Sequence, residues 1–165
     1  VHTYGLNAVT THASNNYGPK QYPEKLIPTI IQHALAQQPI PIHGKGTAIR
    51  DWLYVLDHCK GLDLAFHHGK MGEHYNFGGN HEQTNLQIAH QICTLLDELA
   101  PIPNKHSYNS LISFVTDRPG NDQRYALHIQ KAYEELNWQP TEIFEIGLKK
   151  TVKWYLKMFN KHFSI

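Results

Sequence analysis

Ser14-Asn15-Asn16-Tyr17-Gly18-Pro19 decides how the rest of this 165-residue chain is read. Leu6 to Ala13, just before it, has β-branched residues and partial alternation, so the stretch reads as the end of a buried strand running into a tight turn. Open α/β sheets place their binding crevice at such strand ends, where Asn15 and Asn16 would hold a ligand amide or hydroxyl. Equally, the two side chains would stabilise an Asx-type turn. A buried strand needs sheet neighbours, yet only Val1 to Ala13 stand upstream, and the first residue is not methionine. The expectation is a partial chain, the second half of something longer.

Outward from the motif, strands and helices alternate. A helix is expected from Pro23, with Leu26, Ile27, Ile30, Ile31, Ala34 and Leu35 as its apolar stripe and a kink at Pro28. Pro39 to His43 reads as an edge strand, because proline removes a ladder donor, and Gly44-Lys45-Gly46 as a turn. Ile49 to Val55 is strand-like, and Asp57 would cap or begin a helix reaching about His68. His74 to Phe77 forms a short strand closed by Gly78-Gly79. Thr84 with Gln87 matches a capping box ahead of the stripe Ile88, Ile92, Leu95, Leu96 and Leu99. Pro101 to Asn104 forms a loop, Ile112 to Val115 a strand, Asp117 to Asp122 a polar loop, and helices follow over about 129–136 and 142–159. Interspersed elements of this kind make an α/β or α+β domain, not a bundle or a sandwich.

Composition narrows the function classes. A formal charge of +1 with scattered Lys and Arg gives no basic stripe for nucleic acid and no polybasic membrane segment. No apolar run approaches a membrane span. Cys59 and Cys93 form no CxxC spacing, which makes a reducing, cytoplasmic setting the default. The thirteen histidines include no HxxxH pair and no Cys/His cluster, so no metal site is expected. No nucleophile elbow or glycine-rich phosphate loop is visible either.

Arg50 lies among Ile49, Trp52, Leu53 and Tyr54, where partial burial demands a partner for its charge. That partner is a phosphate in a cleft or, alternatively, a neighbouring acid such as Asp51. Arg118 sits on a polar loop directly after a strand, a common place for ligand contacts, although a solvated Asp117–Arg118 pair serves equally well. Asn85, behind the cap Thr84, faces a ligand near a helix N-terminus or solvates the first turn.

Taken together with Pro23-Glu24-Lys25-Leu26-Ile27-Pro28, Ile49-Arg50-Asp51-Trp52-Leu53-Tyr54-Val55, Tyr75-Asn76-Phe77-Gly78-Gly79 and Asp117-Arg118-Pro119-Gly120, the opening motif closely resembles the dTDP-glucose 4,6-dehydratase family, part of the extended short-chain dehydrogenase/reductases. The resemblance implies an α/β fold: the C-terminal substrate-binding lobe of such an enzyme, with a remnant of the NAD-binding Rossmann sheet over residues 1–22 and the lobe mainly over 23–165, some segments returning to the Rossmann domain. It implies NAD as cofactor, touched by Asn16, and a dTDP-sugar as substrate, touched by Asn15. Lys25, Leu26, Pro41 and His43 would line the nucleotide side; Arg50, Asn85 and Arg118 would hold the diphosphate or its neighbours, with Asn121 beside them. Planar guanidinium donors suit a diphosphate.

The same resemblance implies a homodimeric parent enzyme that forms dTDP-4-keto-6-deoxyglucose and water. Its glycine-rich NAD fingerprint, Tyr-x-x-x-Lys pair and Asp-Glu pair would all lie upstream of Val1, so this chain alone is expected to be inactive and, with an unpaired edge and apolar surface at its first strand, to self-associate. Family members usually carry tyrosine at His43, histidine at Asn121 and aspartate at His128, which puts base preference in question. The alternatives are another nucleotide-sugar dehydratase or epimerase, or a non-catalytic module that binds nucleotide-sugars or a protein.

Overall fold

The computed structural model describes residues 1, 3–102 and 106–163, so Pro103 and Asn104 of the expected loop lie outside the described residues. Strand β1 (Thr10–Ala13) pairs in parallel with β5 (His74–Phe77). At Ser14 the chain changes partners. The Ser14 N–H donates to Phe77 O at 2.9 Å, and the next three residues form a second strand, β2 (Asn15–Tyr17), parallel to β4 (Ile49–Tyr54). The expected turn is therefore itself a strand, with Asn15 beside Trp52 and Tyr17 beside Tyr54. Asparagine disfavours strands on its own, and the pairing with β4 overrides that preference. The turn falls one step later, where Gly18 approaches Val55 so closely that a Cβ would lie 2.5 Å from its Cγ1.

Helix α1 (Leu26–Leu35) starts later than expected, leaving Pro23 outside. Pro28 consequently occupies the first turn, where a missing N–H costs no intrahelical bond, so the anticipated kink has no cause. The strand β3 (Ile40–His43) is an edge strand, parallel to β7 (Ile112–Val115) in a two-stranded sheet. β4 ends at Tyr54 and runs directly into α2 (Val55–His68). Asp57 does not cap this helix, because Tyr54 occupies the N-cap position; Asp57 sits buried in the first turn and binds a distant segment instead. Two short strands that the sequence hides complete the sheet around β4: β6 (Glu82–Thr84), antiparallel, and β8 (Arg124–Tyr125), parallel.

The capping box forms as read. Gln87 N–H donates to Thr84 Oγ1, and Thr84 N–H to Gln87 Oε1, at the start of α3 (Asn85–Leu99). A short 3-10 helix (Tyr108–Leu111) precedes β7, and α4 (Gln130–Leu136) and α5 (Phe144–Phe163) close the chain. Two cores result. Ile30, Ile31, Ile88, Ile92, Leu96, Leu148 and Val152 join α1, α3 and α5; Leu53, Tyr75, Phe77, Leu136 and Trp138 join β5 to α4. No described helix is long and apolar enough to cross a membrane.

Candidate functional site

β4 alternates its side chains, as any strand does. Arg50 and Trp52 point to one side, into a cavity of about 370 Å³. Asp51, 1% exposed, points to the other and accepts the N–H groups of Gly79 at 2.8 Å and His81 at 2.8 Å. Asp51 is thus committed to the two-glycine turn. The Arg50–Asp51 pairing that the sequence left open does not form.

Distant segments complete the cavity. Asn15 comes from β2, paired beside Trp52. Lys25 and Leu26 arrive at the N-terminal end of α1, Pro41 and His43 from β3, and Asn85 as the first residue of α3, where the capping box fixes it. Arg118 and Asn121 lean in from the loop after β7. Every substrate-side candidate named from the sequence therefore faces one cavity. Asn16 does not line it: its Nδ2 donates to Ser14 O at 3.0 Å, and its Oδ1 lies 2.9 Å from His58 Nδ1.

Three further lining residues, Glu24, Thr29 and Trp52, escaped the sequence reading. Trp52 was accessible in principle, since it stands two residues from Arg50 on a strand. Thr29 lies one helical turn from Lys25 and Leu26 and needed only the helix register. Glu24 gave no signal beyond its place beside Lys25, with which it pairs at 3.3 Å.

The walls are cationic. Neither Arg50 nor Arg118 has a carboxylate partner for its guanidinium among the described residues, whereas Glu24, the acid lining the cavity, already faces Lys25. Arg50 is held by neutral acceptors instead: Nη1 donates to Ile49 O at 2.7 Å and Nη2 to Asn121 Oδ1 at 2.8 Å. His43 Nδ1 lies 3.1 Å from Thr116 O, an arrangement that requires Nδ1 to carry a proton. His58, behind Asn16, has its pKa lowered by burial, which favours the neutral ring. Among the described residues no group of three or more His, Cys, Asp or Glu side chains could hold a metal ion. A cavity lined by guanidiniums without a carboxylate partner, by amides and by apolar Leu26, Pro41 and Trp52 can accept an anion carrying a planar or ring-shaped group.

The family model described as GDP-mannose 4,6 dehydratase matches residues 1–151, so the chain belongs to that family. The chain is similar to dTDP-glucose 4,6-dehydratases: the enzyme of Salmonella typhimurium is 53% identical over 154 residues, covering 93% of this chain and 42% of the relative. That of Haemophilus influenzae is 52% identical and covers 93% and 46%. Among solved structures, the dTDP-glucose 4,6-dehydratase of Streptomyces venezuelae, determined with NAD bound, superposes with a TM-score of 0.86 at 38% identity, over 97% of this chain and 47% of that one. The Bacillus anthracis enzyme in complex with NAD gives 0.82 at 45% identity, over 94% and 46%. The fold is accordingly the α/β fold of short-chain dehydrogenase/reductase-type dehydratases. The chain spans a little under half the length of the relatives it matches.

Proposed function

We propose that this chain is the substrate-binding portion of a dTDP-glucose 4,6-dehydratase and that its cavity takes the nucleoside diphosphate of a dTDP-sugar. One observation carries this: Arg50, Arg118 and Asn85, brought from three separate elements, converge on one cavity in which both guanidiniums lack a carboxylate partner. A diphosphate supplies the missing charge, and charge-assisted contacts of this kind contribute roughly 1.5–3 kcal/mol each. Lys25, Leu26, Pro41 and His43 then take the nucleoside, and Asn15, beside Trp52 on the sheet, takes the sugar end.

In the parent enzyme dTDP-glucose becomes dTDP-4-keto-6-deoxyglucose and water, with NAD accepting and returning a hydride. NAD would meet this chain at Asn16, whose Nδ2 keeps one N–H beyond its bond to Ser14 O. This sequence contains no Tyr-x-x-x-Lys and no glycine-rich phosphate loop. The isolated chain is therefore expected to bind nucleotide but not to turn over dTDP-glucose. Residues 1–22 are assigned to the cofactor domain and 23–165 mainly to the substrate lobe. The second core, which ties β5 and α4 together, supports the return of those segments to the cofactor side. A homodimeric, cytoplasmic parent fits the family and the two free thiols, Cys59 and Cys93.

Calorimetric titration with dTDP, UDP, GDP and CDP tests the proposal. Saturable binding of dTDP, preferred over the other bases and weakened roughly tenfold to a hundredfold in Arg50→Ala, is expected. A preference for UDP or GDP would reassign the substrate to another nucleotide-sugar enzyme, and no binding of any nucleotide would overturn the assignment of the cavity.

A further inference from the structure

Asn121 lines the cavity, yet its side chain has little left to offer a ligand. Its Nδ2 donates to Asp117 Oδ1 at 3.1 Å, and its Oδ1 accepts from Arg50 Nη2 at 2.8 Å. The orientation of this amide is dictated by chemistry. An ionised carboxylate only accepts and a guanidinium only donates, so the Asn121 amide satisfies both neighbours in one orientation and neither in the other. Asp117 is fixed in turn. The same Oδ1 accepts the Arg118 N–H at 2.8 Å, and the carboxylate packs against Gly44, where a Cβ would come within 2.8 Å of Asp117 Oδ2.

From these contacts we infer that Asn121 is a positioning residue: the chain Asp117–Asn121–Arg50 sets the guanidinium of Arg50 for an anion and ties the Arg118 loop to it. The inference deepens the nucleotide assignment and rests on it for the identity of the anion. With Nη1 held by Ile49 O and Nη2 by Asn121, the guanidinium plane is fixed at two corners while Nε and the remaining N–H groups stay available. A donor fixed before the ligand arrives spares the cost of ordering it on binding. The placement of Asp117 lets one carboxylate orient both cationic walls: Arg118 through its backbone N–H, and Arg50 through the amide.

The test is a double-mutant cycle in the full 165-residue chain with thymidine diphosphate as probe, read beside ¹⁵N NMR of the arginine guanidiniums without ligand. Asn121→Leu keeps the shape and removes both bonds. It is expected to weaken binding roughly tenfold in the native background and less than about twofold in an Arg50→Ala background, since residues acting through one another are non-additive. Without ligand, the Arg50 guanidinium of the unaltered chain should rotate slowly about its C–N bonds, and rapidly in Asn121→Leu. Asp117→Asn should shift both readouts in the same direction. An equal penalty for Asn121→Leu in both backgrounds would show that Asn121 contacts the ligand directly, and unchanged Arg50 rotation would show that it does not hold the guanidinium. Either result overturns the inference. If the unaltered chain binds no thymidine diphosphate, the nucleotide assignment falls, while the ligand-free rotation still decides whether Asn121 fixes Arg50.

Discussion

Replacing Asp57 probes the joint that fixes the end of β4 to the last helix. The residue is 1% exposed, and its carboxylate is surrounded by donors. Oδ2 accepts the N–H of Thr141 at 2.9 Å and of Glu142 at 2.7 Å; Oδ1 accepts the Thr141 hydroxyl at 2.7 Å and Lys60 Nζ at 3.1 Å. Its backbone carbonyl accepts from the Trp138 indole at 3.0 Å. Asp57→Ala removes every side-chain bond. Two backbone donors lose a charged acceptor, at roughly 1.5–3 kcal/mol each, and since Thr141 is exposed and its groups regain water, the net cost is about 3–5 kcal/mol. Lys60 adds little, being largely solvated.

Asp57→Asn keeps one carbonyl for the two backbone donors, and the Thr141 hydroxyl can turn to accept from the new amide. The expected cost is only about 1–2 kcal/mol. Acid separates the two further. Burial pushes the Asp57 pKa up, but the bonds from Glu142, Thr141 and Lys60 outweigh it and hold the carboxyl below its ordinary value. A lowered folded pKa stabilises the fold above the unfolded value and loses that stability as pH falls through the folded one. Unaltered protein should therefore weaken with acid below about pH 4 by an increment that Asp57→Asn lacks. Urea unfolding at low protein concentration, with hydrogen exchange of the Thr141 and Glu142 amides, measures both effects. Equal costs for Ala and Asn, or unchanged exchange at those two amides, would refute the assignment of the stability to these bonds.

Burial lowers the His58 pKa from its ordinary 6.5, so stability should fall as pH drops below that value, and His58→Gln should flatten the profile while preserving a donor to Asn16; a melting series from pH 8 to 5 reads the difference. Burial, aided by Asp97, pushes the Cys93 thiol up to about 12, whereas Cys59 is exposed. Iodoacetamide at pH 8 should label Cys59 in the folded chain and reach Cys93 only after denaturation, as peptide mass spectrometry would show. Gly79→Ala should abolish soluble folding or cost at least about 3 kcal/mol, because the added Cβ would fall 1.8 Å from the carbonyl oxygen of Trp52, backbone that cannot move aside; a folded variant of near-native melting temperature would contradict this.

The long apolar stripes of α1 and α3 were legible from their period, and in α3 the cap agrees as well, down to the reciprocal Thr84–Gln87 bonds. β2, β6 and β8 were not, since each is short and polar and exists only through its pairing with β4. Arg50 and Arg118 could be named but not resolved: sequence offers an adjacent acid to each, and only the fold shows Asp51 turned to Gly79 and His81, and Asp117 turned to the Arg118 backbone and Asn121. Asp57, expected to cap or begin α2, lies in its first turn without capping it, because its donors lie far along the chain, at Thr141 and Glu142. Local pattern thus carried the elements and the candidate list, while the assignment of partners depended on contacts between distant residues.

The alternation along β4 has a consequence for how such a protein can vary. Arg50 and Trp52 serve the cavity, while Asp51 and Leu53 serve the interior, so adjacent positions hold unrelated duties on opposite faces. Inserting or deleting one residue between Ile49 and Tyr54 would exchange those duties at a stroke, sending a guanidinium into the core and a carboxylate into the cavity. Length within this strand is therefore under stricter control than the identity of any single residue. The exposed loop from Thr116 to Gln123 is anchored at its ends, at Asp117 and at Asn121, and can absorb changes in composition at the positions between those anchors that make no such contact, such as Pro119 and Asp122. Divergence in ligand preference has room to accumulate in that loop and almost none in β4.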